Sequence, residues 1–499
     1  MRVVSADLWE PAPGRLVLWD VRPGADQVPA PAPMTYNQRN HLLGADAGEP
    51  SVWITAAFDV DGPVDPGALE DAFRDLVAAH PVLRVEAVRR PAGEPAGASG
   101  PELGEPGGAS GAAGGVGLVR HDPARLVWRR QDGPVTRSTD TTREHLVAEL
   151  GRRCAPFGYP AFLPAAISRP DRSTIVLGMD HLHTDAWSTA VVVDELATRY
   201  AAHAGGARPR SGVAVVAPDR QAAGRRSARR PAVDRPVPDD SACPAPVAAD
   251  DPRLATWHEF LRDLGWALPT FPLPLGVPDG ARVPQRTVVR SVADAATADA
   301  VAAHARAADA STSAAVLATL ARAVADLGGP AVLDTLLPVH TRADAVARRA
   351  VGWHTTTVPL RIEADSAAGA GADVGIGGVT DTALAATGKA LRAARELSAV
   401  PLEQMVASLP TPLRFPRVDI FQVSYLDYRR LPGHAAAAQR SAHHVSAATR
   451  ADDLQLWVSR TDEGVAVRAR MPCTSLAVET VDALLGRWSE RLGELGGRT

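Results

Sequence analysis

Apolar side chains recur along this chain with two periods, every second residue and every third or fourth, and the switches between them mark its elements. Ser51 to Asp61 alternates as a strand does, and Pro66 to Val77 places Leu69, Phe73 and Leu76 on one helical face. His80-Pro81 then stops the helix. Ala124 to Arg129 reads as a strand, Arg143 to Arg153 as a helix, and Ser173 to Met179 as a short buried strand running into Met179-Asp180-His181-Leu182-His183-Thr184-Asp185-Ala186-Trp187-Ser188. Ser188 is expected to cap a helix with Val192, Leu196 and Tyr200 on one face.

The second half resumes at Leu254 to Gly265 and continues after a Pro-rich turn into alanine-rich helices at 294–308 and 312–327. Strand-like Pro330 to Val339 and the segment Val351 to Ile362 follow, with a helix expected over 381–397, a strand from Val418, alternation at 453–458 and 465–470, and a last helix over 475–494. Helices and strands thus mix in both halves. Two stretches break the pattern. Residues from about 91 to 117 are Gly, Ala, Pro, Glu and Ser with almost nothing apolar to bury, and are expected to form a surface insertion. Residues 205–250 are rich in Ala, Pro and Arg and read as a second insertion or linker, whose Arg225, Arg226, Arg229 and Arg230 suit a solvated segment better than an acidic partner. The expected organisation is therefore an N-terminal lobe at 33–204, a linker at 205–250 and a C-terminal lobe at 251–499.

Length supports two lobes, since 499 residues exceed what one hydrophobic core organises. A net charge of -4 and the absence of base-stacking aromatics around the arginine cluster argue against nucleic acid. Lys389 is the only lysine, so the abundance of arginine reflects codon bias more than a demand for guanidinium. Cys154, Cys243 and Cys473 have neither disulfide nor zinc spacing, so no metal is expected. The first 20 residues carry three acidic residues and two prolines, unlike a secretory signal, and no run of about 18 apolar residues occurs; a soluble cytoplasmic protein is expected, with no membrane partner.

Chemistry concentrates at the junction after Met179. His181 can take and return a proton near neutral pH, and Asp185 four residues on can lock the turn through an arginine. Spacing alone is weak, because His340 and Asp344 repeat it, but only the first pair sits on a strand-loop-helix junction. No GxGxxG, Walker loop or GxSxG elbow follows a strand. His183 reads as packing or solvent-facing, Trp187 and Trp353 as core aromatics, and His443-His444 as surface.

Several segments, in order, resemble the condensation domains of non-ribosomal peptide synthetases, within the HxxxD acyltransferase superfamily. Met34-Thr-Tyr-Asn-Gln-Arg looks like the family's opening motif, Ala79-His80-Pro81-Val82-Leu83-Arg84 is similar to its RHxxLR, Asp180 to Ala186 falls where the family has HHxxxDG, and Val351 to Arg361 resembles VGxFVNTxPLR, with Arg342 just upstream. The resemblance spans roughly 33–495 apart from the insertions. It implies an α+β fold of two chloramphenicol-acetyltransferase-like lobes in a V-shaped internal pseudo-dimer, hence a monomer, with a tunnel between them. It also implies a stand-alone condensation enzyme joining an acyl thioester to an amine or hydroxyl acceptor, itself a small molecule or carrier-bound. The donor would be held on the phosphopantetheine arm of an acyl or peptidyl carrier protein, with CoA as the alternative, and no intrinsic cofactor is needed. On this reading His181 orients and deprotonates the nucleophile. Asp185 is structural, paired with Arg342 or else Arg84, and Asp180, Ala186, Trp187, His354 and Thr356 line the motif and tunnel. A non-catalytic recruiting module remains the alternative from another class.

Two residues depart from the family pattern. Asp180 replaces the first histidine and is expected to favour the charged form of His181. Ala186 replaces a glycine, which costs roughly 1 kcal/mol if that position needs a positive φ.

Overall fold

The computed structural model describes residues 1–90, 115–205, 244–364 and 378–497. Most of the two expected insertions, with the arginines at 225–230, falls outside these residues, although Val116 and Gly117 already belong to a strand. The first half builds strands β1 (Arg2–Ser5), β2 (Arg15–Pro23), β3 (Ala30–Ala32), β4 (Trp53–Asp61), β5 (Val85–Arg89), β6 (Val116–Arg120), β7 (Leu126–Val135), β8 (Phe162–Ser168) and β9 (Arg172–Asp180). Its helices are α1 (Tyr36–Asp46), α2 (Pro66–Ala79), α3 (Thr139–Arg153) and α4 (Ala186–Gly205). The second half supplies α5 (Pro252–Asp263), β10 (Val283–Asp294), α6 (Ala295–Ala307), α7 (Thr312–Asp326), β11 (Val332–His340) and β12 (Thr355–Glu363). It continues through α8 (Asp381–Glu396), α9 (Leu402–Ala407), β13 (Gln422–Asp427), α10 (His434–Ala437), β14 (His443–Ser446), β15 (Arg450–Ala451), β16 (Gln455–Thr461), β17 (Gly464–Pro472) and α11 (Ser475–Gly496).

Two seven-stranded mixed sheets organise these elements, in the orders β1-β14-β4-β9-β8-β2-β7 and β12-β11-β13-β16-β17-β10-β15, beside a small sheet β3-β6-β5. The architecture is α+β with two lobes. The first sheet is covered on both faces. Trp19, Phe58, Ile175 and Leu177 pack with Leu69, Phe73, Leu76 and Leu196 of α2 and α4, while Leu16, Leu18, Leu163 and Val176 meet Leu146 and Leu150 of α3. In the second lobe one core joins α5 to α8 and α11 to inward residues such as Leu336, Val358, Val423, Leu456 and Val467. Burying such side chains contributes roughly 1.5 to 3 kcal/mol each before entropy is counted.

Two features depart from a simple division of the chain. β1 and β2 lie before residue 33 yet belong to the first sheet. More telling, β14 comes from the second half but inserts between β1 and β4, pairing His444 with Ala56 on one side and Val3 on the other. His443-His444 is therefore a strand, with His444 buried and His443 partly so, and not the surface pair expected from sequence. No helix among the described residues is long and apolar enough to cross a membrane.

Candidate active site

The apolar strand β9 ends at Asp180, and His181 to His183 form one tight 3-10 turn before α4 begins at Ala186. Local hydrogen bonds explain the shape of the turn. The Asp180 carboxylate accepts the Leu182 N–H at 2.9 Å, capping the turn, while the His181 N–H donates to the Val52 carbonyl at 2.9 Å. From α1, whose first turn is closed by a reciprocal Thr35–Gln38 capping box, Gln38 Nε2 donates to the Leu182 carbonyl at 3.0 Å. The segment resembling the family's opening motif is thus a clip on the histidine turn.

Asp185 is the N-cap of α4, three residues before the Ser188 expected in that role: its Oδ1 accepts from the Ser188 N–H and hydroxyl, both at 2.8 Å. Arg342 crosses from the second lobe to make a two-pronged ion pair, Nη1 to Oδ2 at 2.8 Å and Nη2 to Oδ1 at 3.0 Å. The His354 N–H and the Thr355 hydroxyl fill the remaining lone pairs at 3.1 Å each. Burial alone would raise the Asp185 carboxyl, but the charge and hydrogen bonds of Arg342 outweigh it and hold the group well below the carboxylate range. Arg84, the other candidate partner, instead donates to the His121 carbonyl at 3.1 Å. His80 of the same motif takes the Val351 N–H on Nδ1 at 3.4 Å and meets Glu195 through Nε2 at 3.0 Å, which ties α2 to the turn before β12.

With its carboxylate consumed, Asp185 cannot exchange protons, which leaves the imidazole of His181 as the mobile base. Its Nδ1 is sealed from solvent without a hydrogen-bond partner, whereas Nε2 is not sealed and has no hydrogen-bond partner among the described residues. The ring stacks on Trp353, centroids 3.9 Å apart and 28° between planes. Trp353 is therefore half-buried against the histidine and not a core aromatic. Trp187 likewise is half-buried, donating to the Arg348 carbonyl at 2.9 Å and lying 4.8 Å from the His340 ring. His340 is exposed, and its spacing partner Asp344 caps the turn at 346–347.

Asp180 does not do what its adjacency to His181 suggests. Fully buried, it is taken by His41 of α1, Nε2 to Oδ1 at 2.7 Å, and the His41 ring lies 6.4 Å from that of His181. Burial first, then the charge of His41, lowers the His181 imidazole below its ordinary value, and the opposing pull of Asp180 is smaller. The group is a neutral base at neutral pH. Ala186 brings no strain, because it lies in the first helical turn and is not among the residues with positive φ. His183 is buried with Nε2 against the Val85 carbonyl at 3.0 Å. The His354 side chain folds back over Gly352, where an added Cβ would come within 2.5 Å of its ring. Thr356 faces the same side of β12 as the core residues Val358, Leu360 and Ile362, so its neighbour Thr355 is the one that reaches Asp185. His41, Thr355 and Asn37, whose Nδ2 donates to the Thr355 carbonyl at 2.7 Å, were not singled out from sequence. Among the described residues no three His, Cys, Asp or Glu side chains converge as a metal ion would need.

The arrangement offers an accessible neutral imidazole at the meeting of two lobes, on a turn fixed from both. No family model matches the chain. Curated relatives include acyltransferase PapA3 of Mycobacterium tuberculosis (strain CDC 1551 / Oshkosh), 25% identical over 337 residues, covering 65% of this chain and 64% of the relative, a little under two thirds of its length. The 2'-acyl-2-O-sulfo-trehalose (hydroxy)phthioceranyltransferase PapA1 of the same strain is 25% identical over 501 residues, covering 96% of this chain and 85% of the relative. The solved structure of the PapA2 acyl transferase superposes with a TM-score of 0.78 at 21% identity, over 99% of this chain and 100% of the other. The first condensation domain of the calcium-dependent antibiotic synthetase does so with a TM-score of 0.57 at 17% identity, over 94% and 97%. The chain has the condensation-domain fold, the two-lobed α+β architecture it shares with the PapA2 acyl transferase.

Proposed function

We propose that this protein is an acyltransferase that moves an acyl group from a thioester to a hydroxyl or amine acceptor, with His181 as the base. The observation that carries the reading is the accessible Nε2 of a neutral imidazole, on a turn whose aspartate is fully engaged by Arg342. As the acceptor oxygen or nitrogen attacks the thioester carbonyl, Nε2 takes its proton; the tetrahedral oxyanion collapses, the C–S bond breaks, and the thiolate recovers the proton from the imidazolium. Holding acceptor and thioester in contact between two lobes supplies orientation, and a peptide N–H at the start of α4, near Ala186 or Trp187, steadies the oxyanion.

The names of the relatives support the transferase class, and PapA1, by name a (hydroxy)phthioceranyltransferase acting on 2'-acyl-2-O-sulfo-trehalose, favours an ester-forming reaction at a sugar-like hydroxyl. A hydroxyl depends on a base more than an amine does, which fits a histidine kept neutral. The donor arm is phosphopantetheine, on a carrier protein or in CoA, and it comes with the substrate. Incubating the protein with matched acyl-carrier and acyl-CoA donors and following acceptor-dependent thiol release tests the assignment. Release with either donor supports it and names the donor class; no release with both donors across hydroxyl and amine acceptors contradicts it and favours a recruiting module.

A further inference from the structure

Alternation along β17 sends Val465, Val467, Ala469 and Met471 into the core of the second lobe, so Arg468 and Arg470 lie on the opposite face of the strand. The two arginines fare differently. Arg470 is neutralised, Nη1 to Asp419 Oδ1 at 2.9 Å. Arg468 is only 7% exposed, and among the described residues no carboxylate lies within ion-pair distance of it. Its guanidinium rests 4.0 Å over the ring of Trp457, and Nη1 donates to the Ser446 hydroxyl. Among the described residues Nε is buried without a hydrogen-bond partner, and Nη2 has none either but is not sealed from solvent.

Ser446 belongs to β14, and His444, two residues earlier, occupies the same side of that strand. The His444 ring is buried with Nδ1 3.2 Å from the Thr189 hydroxyl in α4. Burial first, then the charge of Arg468, pushes this imidazole down to about 3. A polar seam therefore runs from Arg468, which has no counter-ion among the described residues, through Ser446 and His444 to Thr189, whose hydroxyl donates to the Ala186 carbonyl of the histidine motif at 2.8 Å. A buried charge is retained where something pairs with it, and a planar fork suits a tetrahedral or planar oxyanion.

We propose that Arg468 is an anion subsite of the acyl-transfer centre, holding a sulfate, phosphate or carboxylate group carried by the acceptor. The assignment rests on the acyltransferase reading and specifies its substrate: an acceptor with a hydroxyl that reaches His181 and an oxyanion that reaches Nη2. Burial lowers the Arg468 guanidinium only to about 10, so it remains charged at neutral pH.

Inorganic sulfate is the probe. Thermal melting is followed in sodium sulfate and in sodium chloride of equal ionic strength for the wild type, Arg468→Met, Arg468→Lys and His181→Ala; the Met variant supplies the baseline for the general stabilising effect of sulfate. Wild type and His181→Ala are expected to show an additional, saturable rise in Tm at millimolar sulfate that Arg468→Met lacks, with Arg468→Lys needing several-fold more sulfate. Calorimetric titration with CoA distinguishes the source of the anion, since its affinity should not change in either Arg468 variant. An identical sulfate response in wild type and Arg468→Lys, or in wild type and Arg468→Met, overturns the subsite, and a tenfold loss of CoA affinity reassigns the anion to the donor and overturns the acceptor assignment. Because no turnover is involved, failure here is separate from failure of the acyltransferase reading, which His181→Ala decides.

Discussion

At the scale of single residues the account turns on the protonation of one imidazole. His181 sits below its ordinary value through burial and the nearby charge of His41, so it is deprotonated over the neutral range. A base acts when neutral: kcat/KM should rise with pH through an apparent pKa under 6.5 and then hold level through pH 7 to 8, and a steady fall over that range would contradict it. His41→Ala removes a like charge and frees Asp180 to attract the proton. Both effects raise the His181 pKa, so the acid limb of the profile should move to higher pH. Sequence pointed to Asp180 as the carboxylate that would charge its neighbour, because adjacency was all that could be read. The competing histidine is 139 positions away and reaches Asp180 only once α1 packs on the turn. Trp353 was misread for the same reason, an aromatic beside a strand being indistinguishable from core until its stacking partner is known.

At the scale of elements, Asp185 joins the start of α4, the start of β12 and the loop carrying Arg342. Asp185→Ala leaves Arg342 buried without its charge partner and should destabilise the protein by about 3 to 5 kcal/mol in chemical denaturation. Arg342→Lys, which keeps the charge but not the two-pronged geometry, should lie between the two. The folded-state pKa of Asp185 is depressed, so its contribution is fully present above the unfolded value of 3.8 and is lost as pH falls below it. The stability difference between wild type and Asp185→Ala should therefore shrink below pH 4, and a difference that grows on acidification would refute the pairing. Ala186→Gly should restore no activity and should cost up to about 1 kcal/mol, since the position is helical and needs no left-handed backbone. Most helices and the strand entering the site were legible because their apolar faces repeat over many residues, as in α2, α7 and α11. The Asp185 cap was not, because Ser188 satisfies the same local rule and only Arg342, 157 positions on, decides between them.

At the scale of the molecule, β14 makes the lobes interdependent. A strand from the second half completes the first sheet, with Val445 fully buried there, and the chain then returns to the second sheet through β15, β16 and β17. Periodicity offered no warning, as four residues beginning His-His do not announce a central strand. Val445→Asp buries an unpaired charge and should lower the melting of the whole protein by several kcal/mol in one cooperative transition. Two separated calorimetric transitions would show that the lobes unfold independently. The strand also sets Ser446 beside Arg468 and His444 beside α4, so one crossover completes the fold and the polar seam together. The central claim is that His181 is a working base, and the most direct test is acceptor-dependent thiol release by wild type and His181→Ala, with melting followed in parallel. The account predicts a loss of about 10²- to 10⁴-fold with Tm unchanged; retention of full activity by His181→Ala would contradict it.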